Sequence, residues 1–455
     1  MHNAQLFIKA QFLATWCLYC MNSAQAAPFA VEPVLTNLPI HASGDQNVFA
    51  TPFDYQNGIV FTVHVESGDG TGRAGVNLHT IVRKGVRRAD ATWTWESHVV
   101  ETRTILDTWH TQASIAVDKL GYVHVAYNMH NFPWQYAVSD RPYDISSFTF
   151  KGQPVSQQEI DRSKFENKTN FPDIGTAAIP GNQITYPSFA KDRNGELYVT
   201  YRFAVRPHRA FEERAFGAGI ARYDTNLRTW HSIGGEVTME VKDAKLNAQG
   251  VTVQRPFAFE DRYTVYLPTI GFDSANKMHI VWNWRRGEAG METFRPSYAM
   301  GSTNKAFVDP TGAKLSLPID VNHSFPVTGK RDDEQFYAPK VIAFTTQDTP
   351  VVLMQPLTPG RQIWTLNKSR ALFEKEESPA AASALIVDKQ GRQWAFATGL
   401  RVFMRPEGVT RWEDMGEIGP NICAPKVAYY PAESRFVVHA KSCTGDRAHI
   451  FTFRR

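Results

Sequence analysis

Gly121-Tyr122-Val123-His124-Val125-Ala126-Tyr127 is an apolar run of strand type, set directly behind an Asp118-Lys119-Leu120-Gly121 turn, and it recurs. β-Branched and aromatic residues bounded by turn formers mark a strand, and an uninterrupted apolar run marks one buried on both faces. The same turn-then-strand unit returns at residues 57–63, 195–201 and 276–282, and in weaker form at 349–354, 391–396 and 434–438, which makes seven. A third strand follows each at a variable distance, beginning near Leu78, Tyr136, Gly219, Tyr298, Ile363, Val402 and Ile450. Several lead into an aromatic fourth strand, such as Thr92-Trp93-Thr94-Trp95 or Arg228-Thr229-Trp230. Four-stranded units that bury both faces only by stacking on neighbours are the parts of a β-propeller. The expected fold is all-β: a seven-bladed β-propeller closed by an N-terminal strand over 31–40, which supplies the strand missing after the last repeat and removes two edges. An irregular β-sandwich or a pair of β domains is the competing architecture. Only 157–167 reads as a short helix. Early repeats are longer than late ones, which predicts long loops there, where function sits on a rigid scaffold.

Residues 1–26 read as a signal peptide: Lys9 gives the charged start, 12–21 the apolar stretch, and Ala24-Gln25-Ala26 the small-residue cleavage pattern. The stretch is too short for a membrane anchor, and the bulky Leu18-Tyr19 disfavours lipid modification of Cys20. Residues 27–455 are then one exported propeller domain, secreted or periplasmic, with no membrane partner. Removing Lys9 takes the formal charge from +4 to +3, mild enough to fit a polyanion without requiring one. Cys17 and Cys20 leave with the leader. The remaining pair, Cys423 and Cys443, flanks two strand-like runs at 426–430 and 435–440, so a disulfide is the simplest reading in an exported chain. No Cys/His spacing suits zinc and no loop resembles an EF-hand, so no cofactor or metal is expected beyond a structural ion held by scattered ligands.

The candidate site is read from what flanks two of the repeats. Trp109-His110-Thr111 and Tyr127-Asn128-Met129-His130 bracket the second, and Thr185-Tyr186-Pro187 and Thr200-Tyr201-Arg202 bracket the third. Hairpins in neighbouring repeats carry His110, His130, Tyr186 and Arg202 toward one end. Singly each has an ordinary explanation: a loop histidine, a packed strand start, a solvated arginine. Together, imidazoles, a phenol and a guanidinium can hold a carboxylate, take a proton and give one back.

The pattern Trp-His … Asp-x-x-Gly-Tyr-x-His-Val-x-Tyr-Asn-Met-His, followed by Tyr136-Ala137-Val138-Ser139 and Asp144-Ile145-Ser146-Ser147-Phe148, resembles the seven-bladed propeller lyases that degrade ulvan, a sulfated rhamnose–uronate polysaccharide of green algae. The resemblance covers most of 27–455 and is strongest over 109–202. A wider group of secreted propellers shares the His-Val-x-Tyr-Asn core, including enzymes that remove rhamnose capping glucuronate on plant gums. The resemblance implies that a histidine, a tyrosine and an arginine from these segments carry catalysis, at positions matching His110, His130, Tyr186 and Arg202, without saying which histidine is the base.

The implied activity is a polysaccharide lyase cleaving a 4-linked glucuronate or iduronate by β-elimination to unsaturated oligosaccharides. Chemistry narrows the roles. The C5 proton is too weakly acidic while the carboxylate keeps its full charge, so something must neutralise that charge. Arg202, with a fork that matches a carboxylate, is the best candidate, and His110 can add a hydrogen bond. Imidazole has a suitable pKa for the base, whereas tyrosine needs nearby positive charge, which Arg202 would supply. On glucuronate the proton and the C4 oxygen leave from one face, so Tyr186 can serve as base and acid. On iduronate they leave from opposite faces, with His130 as base and Tyr186 as acid. Asn128, Arg206, Tyr263 and His279 are expected to bind substrate, with Arg262, Arg285 and Arg286 as softer candidates; Asn283 occupies the same place after its strand as Asn128, and His279 aligns with His124 inside the strand. The partner is an acidic, sulfated polysaccharide, not nucleic acid, and the protein is expected to be a monomer. A propeller glycosidase, including one acting on rhamnose–glucuronate termini of gums, and a non-catalytic carbohydrate-binding propeller are the alternatives. A sialidase is disfavoured because the nearest match to a Ser-x-Asp-x-Gly-x-x-Trp box begins at Val387.

Overall fold

A computed structural model describes residues 31–40, 50–67, 77–104, 113–130, 132–153, 179, 182–205, 215–243, 248–286, 293–302, 306–329, 336–356, 360–379, 382–418, 422–445 and 447–454. The sequence readings at 1–26 and 157–167, and those of His110 and Arg206, lie outside these residues. What is described is all-β and antiparallel apart from two parallel contacts, Phe216↔Thr264 and the isolated bridge Ala258↔Ile319, with two single-turn 3-10 segments, Thr398–Leu400 and Pro431–Glu433.

The chain opens with β1 (Val31–Pro39). The first sheet follows as β2 (Phe53–Gln56), β3 (Ile59–Ser67), β4 (Asn77–Arg87) and β5 (Trp93–Thr104), paired in that order. The second repeats the pattern with β6 (Ala113–Val117), β7 (Val123–Tyr127), β8 (Tyr136–Ser139) and β9 (Phe148–Phe150). The third is β10 (Asn182–Lys191), β11 (Leu197–Ala204), β12 (Phe216–Asp224) and β13 (Thr229–Ser232). A hairpin that the sequence reading lacked, β14 (Val237–Asp243) and β15 (Ala248–Gln254), then pairs only with itself.

The fourth group is β16 (Tyr263–Phe272), β17 (Met278–Arg286) and β18 (Thr293–Gly301), edged by the two-residue strands β19 (Phe307–Val308), β20 (Lys314–Leu315) and β21 (Phe325–Pro326). It joins the third through the parallel contact Phe216↔Thr264, making one ten-stranded sheet. Two further four-stranded sheets comprise β22 (Phe336–Phe344), β23 (Pro350–Pro356), β24 (Gln362–Asn367) and β25 (Leu372–Glu376), and β26 (Ala382–Val387), β27 (Gln393–Ala397), β28 (Arg401–Arg405) and β29 (Glu413–Glu417). The last sheet is β30 (Ile422–Tyr430), β31 (Arg435–Ser442) and β32 (Arg447–Arg454), with β1 added antiparallel to β32 from Val31↔Phe453 to Pro39↔Arg447. A disulfide joins Cys423 and Cys443 within this sheet, Cα to Cα 5.0 Å.

The second strand of each sheet reads as unbroken apolar sequence because both of its faces are covered. β7 and β11 are buried at every position. Phe61, Val63 and Val65 of β3 pack with Ile115, Val117, Val123 and Val125 of the next sheet. Beyond them, Ala126 and Tyr136 pack with Val199, Tyr201 and Phe203. The turns before these strands share one device. Asp118 Oδ1 accepts from the amides of Leu120 and Tyr122, Asp192 Oδ1 from Asn194 and Glu196, and Asp388 Oδ1 from Gln390 and Arg392. These Asx turns need a left-handed residue at the fourth position, met by Gly121, Gly195 and Gly391. The first strands β2, β6, β10, β16, β22, β26 and β30 each touch the next, and Tyr55 of β2 meets Tyr430 of β30 with ring centroids 4.8 Å apart.

Where the first and last sheets meet, His64 of β3 and His439 of β31 face one another with Nε2 atoms 2.9 Å apart, both buried. One ring must donate and the other accept, so the acceptor is neutral, and burial of both disfavours charge on the donor. Burial holds His64 well below the ordinary histidine range and His439 at about 3; a proton on either is disfavoured further by nearby basic groups, the facing ring and Arg83 for His64, His449 and Lys426 for His439. The unfolded chain therefore binds more protons than the folded one below the ordinary histidine pKa of about 6.5. The pair's contribution is complete above that pH and is lost as pH falls from about 6.5 toward 3. Urea unfolding at pH 4.5 against pH 7.5 is expected to show a loss of about 2–4 kcal/mol from such a pair. The His64→Leu, His439→Leu double variant should flatten much of that slope, and an unchanged slope would discount the pair.

Candidate active site

Three of the four candidate catalytic residues fall within the described structure, and they converge. Tyr186 sits on β10 at an irregularity: the register with β11 shifts between Thr185 and Ser188, and Tyr186 has φ +58°. Bulges re-aim a side chain, and Pro187 fits there because it has no amide to give the ladder. A left-handed tyrosine costs about 1–3 kcal/mol of backbone strain and persists only where surrounding contacts fix it. They are present here. Phe132 and Ile184 exchange both backbone hydrogen bonds, at 3.1 and 2.7 Å, tying the segment after β7 to the start of β10. That bridge carries His130 alongside Tyr186, with ring centroids 5.9 Å apart.

Arg202, on β11 across from Thr185, is buried beside this pair. Its guanidinium carbon lies 5.3 Å from the Tyr186 ring centroid, 4.7 Å from Phe216 and 5.9 Å from Tyr266. Tyr266 meets Tyr186 edge-to-face at 6.0 Å, and the Arg285 guanidinium carbon lies 6.0 Å from the Tyr266 ring centroid. Two guanidinium groups, two phenols and an imidazole thus gather at the ends of hairpins from the second, third and fourth groups. Such a group can bind a carboxylate with a fixed fork, place positive charge beside a phenol, and offer two proton-transferring side chains.

Tyr266 and Phe216 were missed in the sequence, and Tyr266 had left a signal. β16 carries the same bulge as β10, shifting register between Tyr266 and Thr269 around Leu267-Pro268, with Leu267 at φ +49°. Tyr266 precedes that left-handed residue, so it matches Thr185 rather than Tyr186, and a search for a second Tyr-Pro overlooks it.

The residues expected to bind substrate divide. Asn128, left-handed at φ +55°, lies two residues before His130 and is held from the first sheet: its Nδ2 donates to Glu101 Oε2 at 2.8 Å and Thr80 Oγ1 at 3.3 Å. Tyr263 heads β16 at the same end, but its ring packs on Trp284 and Phe294. His279 belongs elsewhere. It is buried at the turn end of β17, with Nε2 3.1 Å from Asp273 Oδ2 and Nδ1 2.5 Å from the Tyr298 hydroxyl, and burial lowers its pKa. His124 repeats this arrangement with Asp118 and Tyr136, and Trp394 Nε1 donates to Asp388 Oδ2 in the same way. The histidine six residues after a turn aspartate is a core fastener. His279→Ala is expected to cost about 2–4 kcal/mol, a cavity plus an orphaned carboxylate, while kcat of the folded protein stays within twofold. A large kcat loss at full folding would return His279 to the chemistry. Asn283, also named as facing this end, is buried and donates to the Phe336 carbonyl at 2.9 Å. Among the described residues no three His, Cys, Asp or Glu side chains are grouped to hold a metal ion, and no helix is long and apolar enough to cross a membrane.

Residues 77–382 match the sequence profile described as a BNR repeat-containing family member. The chain belongs to that family. This BNR repeat-containing chain also shares its fold with the solved structure of the polysaccharide lyase Uly1, at a TM-score of 0.59 and 11% identity over 94% of this chain and 98% of that one. An ulvan lyase of the polysaccharide lyase family PL25 gives a TM-score of 0.54 at 12% identity, covering 93% of this chain and 94% of its own. The same comparison holds for that ulvan lyase bound to -[GlcA(1-4)Rha3S]-. None of the curated proteins compared with the chain matches it.

Proposed function

We propose that this BNR repeat-containing protein is a secreted polysaccharide lyase that cleaves a sulfated, uronate-containing polymer, ulvan first among candidates, by β-elimination. The observation that carries the reading is the meeting of His130, Tyr186 and Arg202, with Tyr266, at distances of 5.3–6.0 Å. In this reading the chain is a seven-bladed β-propeller: each first strand touches the next, Tyr55 against Tyr430 completes the circuit, and β1 supplies the fourth strand of the last blade. Residues 1–26 are a leader directing a monomer to the periplasm or beyond, which suits the Cys423–Cys443 disulfide. The shared fold with two polysaccharide lyases, one of them solved with a glucuronate–rhamnose sulfate fragment, supports the substrate class.

Arg202 brackets the uronate carboxylate and draws its charge as the C5 carbanion forms. The C5 proton passes to Tyr186 for glucuronate or to His130 for iduronate. The C5 electron pair becomes the C4–C5 double bond, the C4–oxygen bond breaks, and the departing oxygen takes a proton from Tyr186. His110 adds a hydrogen bond to the carboxylate. Asn128, Arg206 and Tyr263 line the approach.

Purified protein should therefore convert ulvan into products with new ultraviolet absorbance from a double bond conjugated to the carboxylate. Gum arabic, heparinoids and chondroitin serve as the comparison panel. New reducing ends without that absorbance would make the protein a hydrolase, and binding with neither would make it a lectin.

A further inference from the structure

The first strands of six groups enclose a cavity of about 320 Å³, distinct in its chemistry from the Tyr186–Arg202 pair although Tyr186 forms part of its wall. Of the residues lining it, three are charged: Asp54, Lys191 and Lys426. Asp54 is fully engaged. Its Oδ2 accepts from Lys191 Nζ at 2.6 Å and from the Val117 amide at 2.7 Å, and its Oδ1 accepts from the Tyr55 amide at 2.8 Å. One lysine is thereby neutralised and the other is not.

Lys426 lies on β30, cross-strand from His439, whose ring is neutral and committed to His64. Among the described residues no carboxylate stands within ion-pair distance of the Lys426 amine and no acceptor within hydrogen-bond distance. Burial lowers its pKa to about 8, so the amine still carries its proton at neutral pH. A half-buried ammonium without a counter-charge is unfavourable unless an anion joins it or it loses its proton. The cavity therefore holds one positive charge in excess, beside the hydroxyls of Ser188, Thr200 and Tyr430.

We propose that this cavity is a binding site for a small inorganic anion, anchored by Lys426. The cavity, about 320 Å³, has room for a halide or a tetrahedral oxyanion beside the Lys426 amine. Occupancy fastens β30 to the strands opposite and raises stability by mass action.

Thermal unfolding of the full chain at pH 7 in a bulky sulfonate buffer tests this, with sodium chloride and sodium sulfate titrated at constant ionic strength. The wild type is expected to show a saturable rise in Tm of about 3 °C or more in at least one arm; the responding arm identifies halide or oxyanion. Lys426→Met, with Lys426→Gln as the second variant should the first fail to fold, should lose the saturable response and unfold at a higher temperature without added anion. Lys426→Arg should keep it. Chlorine-35 line broadening by the wild type, displaced by sulfate if both anions share the site, gives a readout free of variants. No saturable response in either arm, or an equal one in Lys426→Met or Lys426→Gln, overturns the proposal.

Discussion

Tyr186→Phe is expected to lower kcat on the uronate polymer by about a thousandfold, the scale of a lost proton-transfer group, while Tm and polymer affinity stay near wild type. The size follows from double duty. On glucuronate the same phenol is asked to take the C5 proton and to return one to the C4 oxygen, so its oxygen is needed in both halves of the reaction. The selectivity follows from packing. The ring makes its edge contact with Tyr266, faces His130, and sits beneath the Arg202 guanidinium, and a phenylalanine repeats all three. The backbone at φ +58° asks the same of either residue. Measured against an iduronate-rich substrate, the loss should remain large, because the acid is still missing although His130 can take the proton. A variant with near-normal absorbance rates on both uronates would remove Tyr186 from the chemistry.

The second large effect belongs to Arg202. Arg202→Lys should cost about 100- to 1000-fold in kcat/KM, the range seen when a preorganised charge-stabilising donor is lost, even though the formal charge survives. A guanidinium plane stacks on Phe216 at 4.7 Å and still presents its edge to a carboxylate. An ammonium is a point charge with no plane to stack and no fork to bracket two oxygens. Because Arg202 is buried, the unfolding free energy of each variant should be measured beside its kinetics, so that lost folding is not mistaken for lost catalysis. Lysine at this position retaining more than a third of the activity would mean that bidentate recognition of the uronate is not what the arginine does.

How far the sequence foretold this arrangement depends on which force placed each residue. The second strand of every repeat was legible because burial on both faces writes an unbroken apolar run, and the Asx turn before it writes Asp and Gly at fixed offsets. Tyr186 and Arg202 were legible because they sit at the ends of such a hairpin. The hairpin of β14 and β15 was not, since it pairs with no repeat and so copies none of the pattern. His279 was named for substrate and also aligned with His124 inside its strand, and the structure places it there for a physical reason: the two oxygens of the Asp273 carboxylate serve the turn and the core together. Tyr266 was missed because a bulge moves the aromatic by one position, and a one-residue shift reverses which face a strand side chain occupies. His110 and Arg206 lie outside the described residues, and their roles rest on sequence.

The pairing of β1 with β32, Val31 beside Phe453, makes the first-synthesised strand wait for the last. Until residues 447–454 exist, β1 and β31 both present raw hydrogen-bonding borders, and contacts so distant along the chain form slowly. If residues 1–26 direct export, as proposed, this delay is an advantage, because a molecule that lacks its clasp stays slack enough to be threaded through a translocon. Deleting the residues of β1 or of β32 should therefore leave the partner strand's backbone edge bare and the protein prone to pairing with its own copies.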